Sequence, residues 1–206
     1  MKRFLLPFAG LLSAAAMAQP AGYAARYAEQ CAACHGAQGT SAQPLVPHLG
    51  GQPAFYVTTQ LFLFREGRRN DHPMAAAMTA MARPMTDADL RGFSDHIGTL
   101  PPAPAASQPV APDPQRMSKG RELAHQHKCS FCHGTDFAGG QQVPRIAGQR
   151  EEYLRETLHG FHTGKRPAYT QAMIGALAMV PPEDLDLLAY YAANLPATAA
   201  GATAGK

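Results

Sequence analysis

Residues 31–36 read CAACHG and residues 129–134 read CSFCHG. The chain has four cysteines, all of them within Cys31–His35 and Cys129–His133. Two thiols separated by two residues close only a very small disulfide loop, which stabilises little. A zinc site built from both pairs is conceivable, but it gives the following histidines, His35 and His133, no role. A thioredoxin-like dithiol requires neither a second copy nor a histidine at a fixed offset. C-x-x-C-H is the attachment signature of a c-type haem. On this reading Cys31, Cys34, Cys129 and Cys132 form thioethers to vinyl groups, and His35 and His133 lie under the irons as proximal ligands. Gly36 and Gly134 follow, where the backbone has to turn away from a porphyrin. Two covalently bound haem c groups are therefore expected.

The duplication extends beyond the cysteines. Residues 46–69, VPHLGGQPAFYVTTQLFLFREGRR, align without gaps on residues 143–166, VPRIAGQREEYLRETLHGFHTGKR. Val46/Val143, Pro47/Pro144, Gly51/Gly148, Gln52/Gln149, Tyr56/Tyr153, Leu61/Leu158, Phe64/Phe161, Gly67/Gly164 and Arg69/Arg166 are identical, nine of 24 positions. One module is used twice. Between the copies, residues 101–115 carry six prolines, which exclude helix and central strand and suit an extended spacer. The expected organisation is a module over 19–100, a Pro-rich linker over 101–115, a second module over 116–196 and a flexible tail over 197–206.

The N-terminus has the layout of an export signal. Lys2 and Arg3 precede an apolar run from Phe4 to Ala16, and Ala16-Met17-Ala18 offers a small-x-small cleavage site. The run is well short of the roughly 20 residues that span a bilayer. A signal peptide over 1–18 and a periplasmic mature protein are expected. Without Lys2 and Arg3 the 18 basic residues become 16, against 15 acidic ones, and neither half has the basic excess of a nucleic-acid binder.

The local signals are helical throughout. Residues 22–33 and 118–131 lead into the cysteine motifs, the second with Ser118 as N-cap. Residues 53–66 and 150–163 show helical spacing and stop at Gly67 and Gly164. The last helix of the first module opens on a capping box, Thr86-Asp87-Ala88-Asp89, and buries Leu90, Phe93 and Ile97. Its counterpart opens Pro181-Pro182-Glu183-Asp184 and buries Leu185, Leu188 and Ala192.

A haem iron held by one histidine has a second axial position, and methionine there favours electron transfer. Residues 73–85, PMAAAMTAMARPM, offer Met74, Met78, Met81 and Met85. With Asp89 placed on Asp184, Met78 and Met173 both lie 11 residues upstream, whereas Met81 meets Ala176, Met85 meets Val180, Met179 meets Pro84 and Met74 meets Tyr169. Met78 and Met173 are thus the expected sixth ligands, Met78 in an axial-ligand loop. Met81, Met85 and Met179 are expected to pack against haem or core. His48, His72, His96, His125, His127, His159 and His162 have no counterpart in the other module and are expected on the surface or in loops, with His72 the competitor for the first iron. Pro47 and Pro144 follow the proximal histidines by 12 and 11 residues, where their carbonyls could accept the imidazole Nδ1–H.

CxxCHG, then P-x-(L/I)-(A/G)-G-Q, then Tyr, Phe and G-x-R, then Met and a terminal helix, given twice, resembles the di-haem cytochrome c4 family over residues 22–196. Gly50 departs from it, where the family often has Ala as at Ala147. The resemblance implies an all-α chain of two tandem class I cytochrome c domains facing each other, His/Met ligation at both irons and periplasmic electron carriage. It also implies redox-protein partners, for example a quinol–cytochrome c reductase and a terminal oxidase, with peripheral membrane association in some members. The function read from the sequence is a one-electron carrier rather than an enzyme. The alternative is the electron-accepting cytochrome subunit of a dehydrogenase, such as a flavocytochrome c sulfide oxidoreductase. A di-haem peroxidase needs an iron with an available position, and the matched Met78 and Met173 argue against it.

Overall fold

Helix is the only regular structure among the described residues, 22–104, 111–166 and 171–197, of the computed structural model. The first module contains α1 (Tyr23–Gln30), α2 (Ala32–His35), α3 (Ala54–Arg65), α4 (Ala75–Ala82) and α5 (Asp87–Thr99). The second contains α6 (Pro114–Gln126), α7 (Cys129–His133), α8 (Glu151–His162), α9 (Ala172–Leu177) and α10 (Pro182–Ala193). The expected all-α class holds. The leader expected over 1–18 and most of the tail expected over 197–206 lie outside the described residues.

Each module is built the same way. The last helix, α5 or α10, is the hub: α1 and α3 pack on α5, and α6 and α8 pack on α10. The apolar spacing of α5 explains this, because Leu90, Phe93 and Ile97 fall on one face and are 3%, 1% and 2% exposed. Burying side chains of this size contributes about 1.5–3 kcal/mol each. The hub helices cross their partners closely at a glycine. A Cβ on Gly92 of α5 would stand 2.0 Å from the Tyr23 ring, and one on Gly120 of α6 would stand 2.5 Å from the Tyr191 Cβ.

The capping box at α5 forms as expected: Asp89 N donates to Thr86 Oγ1 at 3.1 Å, and Thr86 N donates to Asp89 Oδ2 at 2.9 Å. The backbone N–H of Thr86 and the Arg26 guanidinium hold the Asp89 carboxyl well below the usual carboxylate range. Thr86→Ala is expected to cost about 1 kcal/mol of stability, read as a lowered denaturant midpoint.

Three local expectations are corrected. The stretch expected as a ligand loop is helical, because AAAMTAMA consists largely of strong helix formers, and α4 stops where Pro84 cannot donate. α6 starts at Pro114, inside the segment expected to exclude helix, and its N-cap is Asp113 rather than Ser118. Proline is tolerated in a first helical turn, where its missing N–H would have no partner. The helix expected over 118–131 is broken: α6 ends at Gln126 and Lys128 adopts a left-handed φ of 56° before α7.

The modules meet through a buried polar cluster that joins the repeat residues Arg69, Arg166 and Tyr153 to Asp71, which lies just beyond the repeat. Arg69 Nη2 and Arg166 Nη2 both donate to Tyr153 Oη, at 2.9 and 3.3 Å. Arg166 Nη1 donates to Asp71 Oδ2 at 3.1 Å, and Arg69 Nε lies 3.7 Å from Asp71 Oδ1. Burial alone would push the Tyr153 phenol up, but the two guanidiniums outweigh it and hold the phenol below its ordinary value; burial raises that of Tyr56 beside it. The start of the Pro-rich linker packs on the first module, with Ala103 only 3% exposed. That accounts for Gly50, since a Cβ there would stand 2.0 Å from the Pro101 carbonyl oxygen.

Candidate haem-binding sites

The two cysteine motifs form single short turns of helix. In the first, His35 N donates to Cys31 O at 3.0 Å, so α2 sets both thiols and the imidazole on one rigid turn. α7 repeats this arrangement over Cys129–His133. Gly36 and Gly134 then take φ of 78° and 81°, turning the chain away as the sequence requires. All four cysteines are free, Cys34 and Cys132 exposed and Cys31 and Cys129 half-buried. Burial pushes the Cys31 thiol up to about 11 and raises that of Cys129, so neither is an activated thiolate of the redox-motif kind. Among the described residues no group of three or more His, Cys, Asp or Glu converges to hold a metal ion, which leaves the four-thiolate zinc arrangement without a basis.

His35 and His133 are each 6% exposed. His35 Nδ1 lies 3.0 Å from Pro47 O, and His133 Nδ1 lies 3.0 Å from Pro144 O. A carbonyl can only accept, so Nδ1 carries the proton and Nε2 keeps its lone pair. Burial lowers the pKa of both rings, against the opposing pull of the carbonyl, and keeps them neutral at physiological pH. Each ring is thereby fixed as the tautomer a metal takes.

The helical periodicity of α4 separates the methionines. Ala75, Met78 and Ala82 share a face; Ala75 is 4% exposed, Ala82 is fully buried, and Met78 sits half-buried against the same core. Cys31 packs on that core too, and in the second module Cys129 and Met173 stand in the same relation to theirs. Met85 is buried as expected. Met81 and Met179 do not pack on the protein core: they are 38% and 87% exposed, each turned off the face that buries its neighbour, Ala82 or Val180.

Two histidines expected on the surface or in loops are buried, His48 and His72. Burial pushes the His48 ring down to about 4, and its Nδ1 accepts from Ser41 N at 2.9 Å. His72 accepts from Met74 N through Nδ1 at 3.1 Å, which places its proton on Nε2, and its ring lies 5.6 Å from that of Tyr153 across the module boundary. A ring committed in this way is a poor competitor for the first iron. No local sequence signal marks either histidine: both lie at the module boundary, His48 against Gln149 and His72 against Tyr153.

The residues fit a c-type haem in each module: two free thiols on one turn, a neutral imidazole with a bare Nε2, and a thioether on the rim of the same core. When bound, haem c supplies a reversible one-electron couple at iron. The chain's own contribution is to hold the imidazole tautomer and to bring a motif cysteine and a methionine thioether against one apolar core in each module.

The family model for Cytochrome c matches this chain twice, at residues 21–101 and 117–195. Cytochrome c4 from Thiocapsa roseopersicina is 32% identical, with 80% of this chain and 86% of that protein covered. The thiosulfate dehydrogenase electron acceptor of Thiomonas intermedia is 30% identical, covering 82% of this chain and 80% of that protein. The crystal structure of reduced recombinant cytochrome c4 from Pseudomonas stutzeri superposes with a TM-score of 0.72 at 26% identity, covering 85% of this chain and all of that one. This chain belongs to the cytochrome c family, as a tandem cytochrome c4 that carries two covalently bound haem c groups and transfers electrons.

Proposed function

We propose that this cytochrome is an exported, periplasmic carrier that passes single electrons between respiratory partners, for example from a quinol–cytochrome c reductase to a terminal oxidase. Cys31 and Cys34 hold the first haem and Cys129 and Cys132 the second, with His35 and Met78 on the first iron and His133 and Met173 on the second. The observation that carries the assignment is the paired one. In each module an imidazole is fixed through Nδ1, a half-buried thioether packs on the same core as the first motif cysteine, and both come from matching repeat positions. The mature charge, close to balance, suits brief docking through modest interfaces. Among the described residues no helix is long and apolar enough to cross a membrane, and peripheral association remains compatible with the carrier role.

The test is spectroscopic. Mass spectrometry of the exported protein should show cleavage after Ala18 and two covalent haems, and the reduced protein should not take up carbon monoxide. Rapid uptake at one haem would instead indicate an iron without its methionine.

A second reading is that the protein is the electron-accepting subunit of a dehydrogenase, and the similarity to the Thiomonas intermedia electron acceptor favours keeping it. Affinity capture from membranes and from the periplasm separates the two. A carrier leaves as a free protein and is reoxidised by oxidase-containing membranes, whereas a subunit co-purifies in fixed proportion with a dehydrogenase.

A further inference from the structure

The peptide group joining Pro47 to His48 is hydrogen-bonded on both sides. Its carbonyl oxygen faces His35 Nδ1 at 3.0 Å, and its N–H donates to Gln149 Oε1, in the other module, at 2.7 Å. The peptide group joining Pro144 to Arg145 is used identically: its carbonyl faces His133 Nδ1 at 3.0 Å, and its N–H donates to Gln52 Oε1 at 3.1 Å. Each glutamine also closes the pair with its amide. Gln149 Nε2 donates to His48 O at 2.9 Å, and Gln52 Nε2 donates to Arg145 O at 2.8 Å. Gln52 and Gln149 are 5% and 4% exposed, so water does not compete for these bonds.

We propose that Gln52 and Gln149 are positioning residues that tune the iron of the opposite module, each through a single peptide group. The claim rests on His35 and His133 being the proximal ligands. A peptide whose N–H is donated becomes more polarised, and its carbonyl becomes a better acceptor. A stronger bond from Nδ1–H gives the imidazole more imidazolate character and makes it a more basic ligand. A more basic ligand favours the ferric iron and lowers the reduction potential. Gln149 therefore lowers the potential of the first haem although it belongs to the second module, and Gln52 does the reverse. Among the described residues the geometry offers no comparable route from either glutamine to its own module's histidine: Gln149 Oε1 reaches, within its own module, the backbone N of Arg150, at 2.9 Å.

The experiment compares Gln149→Leu, Gln52→Leu and the two Gln→Glu proteins as full-length holoproteins. The parent's optical and magnetic spectra are recorded first. If they lack two low-spin His/Met haems, the ligand assignment fails before the tuning is tested. Given that spectrum, Gln149→Leu is expected to raise the potential of the first haem more than that of the second, and Gln52→Leu to do the opposite. The Nδ1 proton resonance of the affected proximal histidine in the ferrous protein should move upfield in step, as its hydrogen bond weakens. Glutamate keeps an acceptor oxygen in either protonation state, so the Glu proteins should hold the affected potential at or below the parent's. They carry the test alone if leucine prevents folding. A shift confined to the substituted module, an equal shift of both haems, or a rise in the Glu protein as large as in the Leu protein would overturn the proposal.

Discussion

In the Met78→Ala protein one of the two haems is expected to lose its sulfur ligand while the other is untouched. The Met–iron charge-transfer band should fall to about half, and one potential should drop by an amount on the order of a few hundred millivolts, within the ~0.8 V span that axial ligation covers. The vacated position should then take up carbon monoxide in the reduced protein. The fold should survive the change. Alanine is the strongest helix former, and α4 already carries Ala75 and Ala82 on the same face, 4% exposed and fully buried. Truncating a fully buried methionine costs about 2–5 kcal/mol; Met78 is only half-buried, so the loss belongs toward the lower end. Met81→Ala is the matched control. It lies on the same helix but is 38% exposed, and it should leave both bands intact. Persistence of both bands in Met78→Ala would sink the ligand assignment. A loss in Met81→Ala would move it by one helical turn.

Much of this site was legible in the sequence because its chemistry is local. The thiols and the proximal imidazole come from five consecutive residues, and the Pro47 and Pro144 carbonyls meet the histidines as their offset suggested. The capping box at Thr86 reads the same way, since both of its bonds close within three residues. What the sequence did not disclose depends on long-range burial. His48 is a loop residue with no counterpart in the other module, yet its backbone N–H is held by Gln149, 101 residues away. Nothing within reach of His48 along the chain reports that. The Met78 segment is helix rather than loop because the alanines between its sulfurs are strong helix formers. Pro114 opens a helix despite its Pro-rich surroundings, because Asp113 before it is a good N-cap and proline fits a first turn.

Asp71→Ala should weaken the module boundary more than any other single change in the polar cluster. The Asp71 side chain is 2% exposed, and those of Arg166 and Arg69 are 3% and 6% exposed. Two guanidiniums share this one carboxylate, and their other hydrogen bonds go to groups that are not carboxylates: Tyr153, Gln60 and Thr157. Without Asp71 both positive charges stay buried with no carboxylate opposite. Breaking a buried pair in this way costs about 3–5 kcal/mol, because the stranded charge loses its partner without regaining water. Asp71→Asn keeps an acceptor for Arg166 but not the charge, so it should recover only part of the loss. Two modules need not unfold in one step, so denaturant curves should be followed at the Met–iron band and by protease cleavage between residues 104 and 111. The early rise of cleavage in Asp71→Ala, before the band is lost, would show that the cluster holds modules together rather than holding either one folded. A change under about 1 kcal/mol, the ceiling for exposed ion pairs, would mean that water reaches the cluster and that the boundary depends on the glutamine pairs instead.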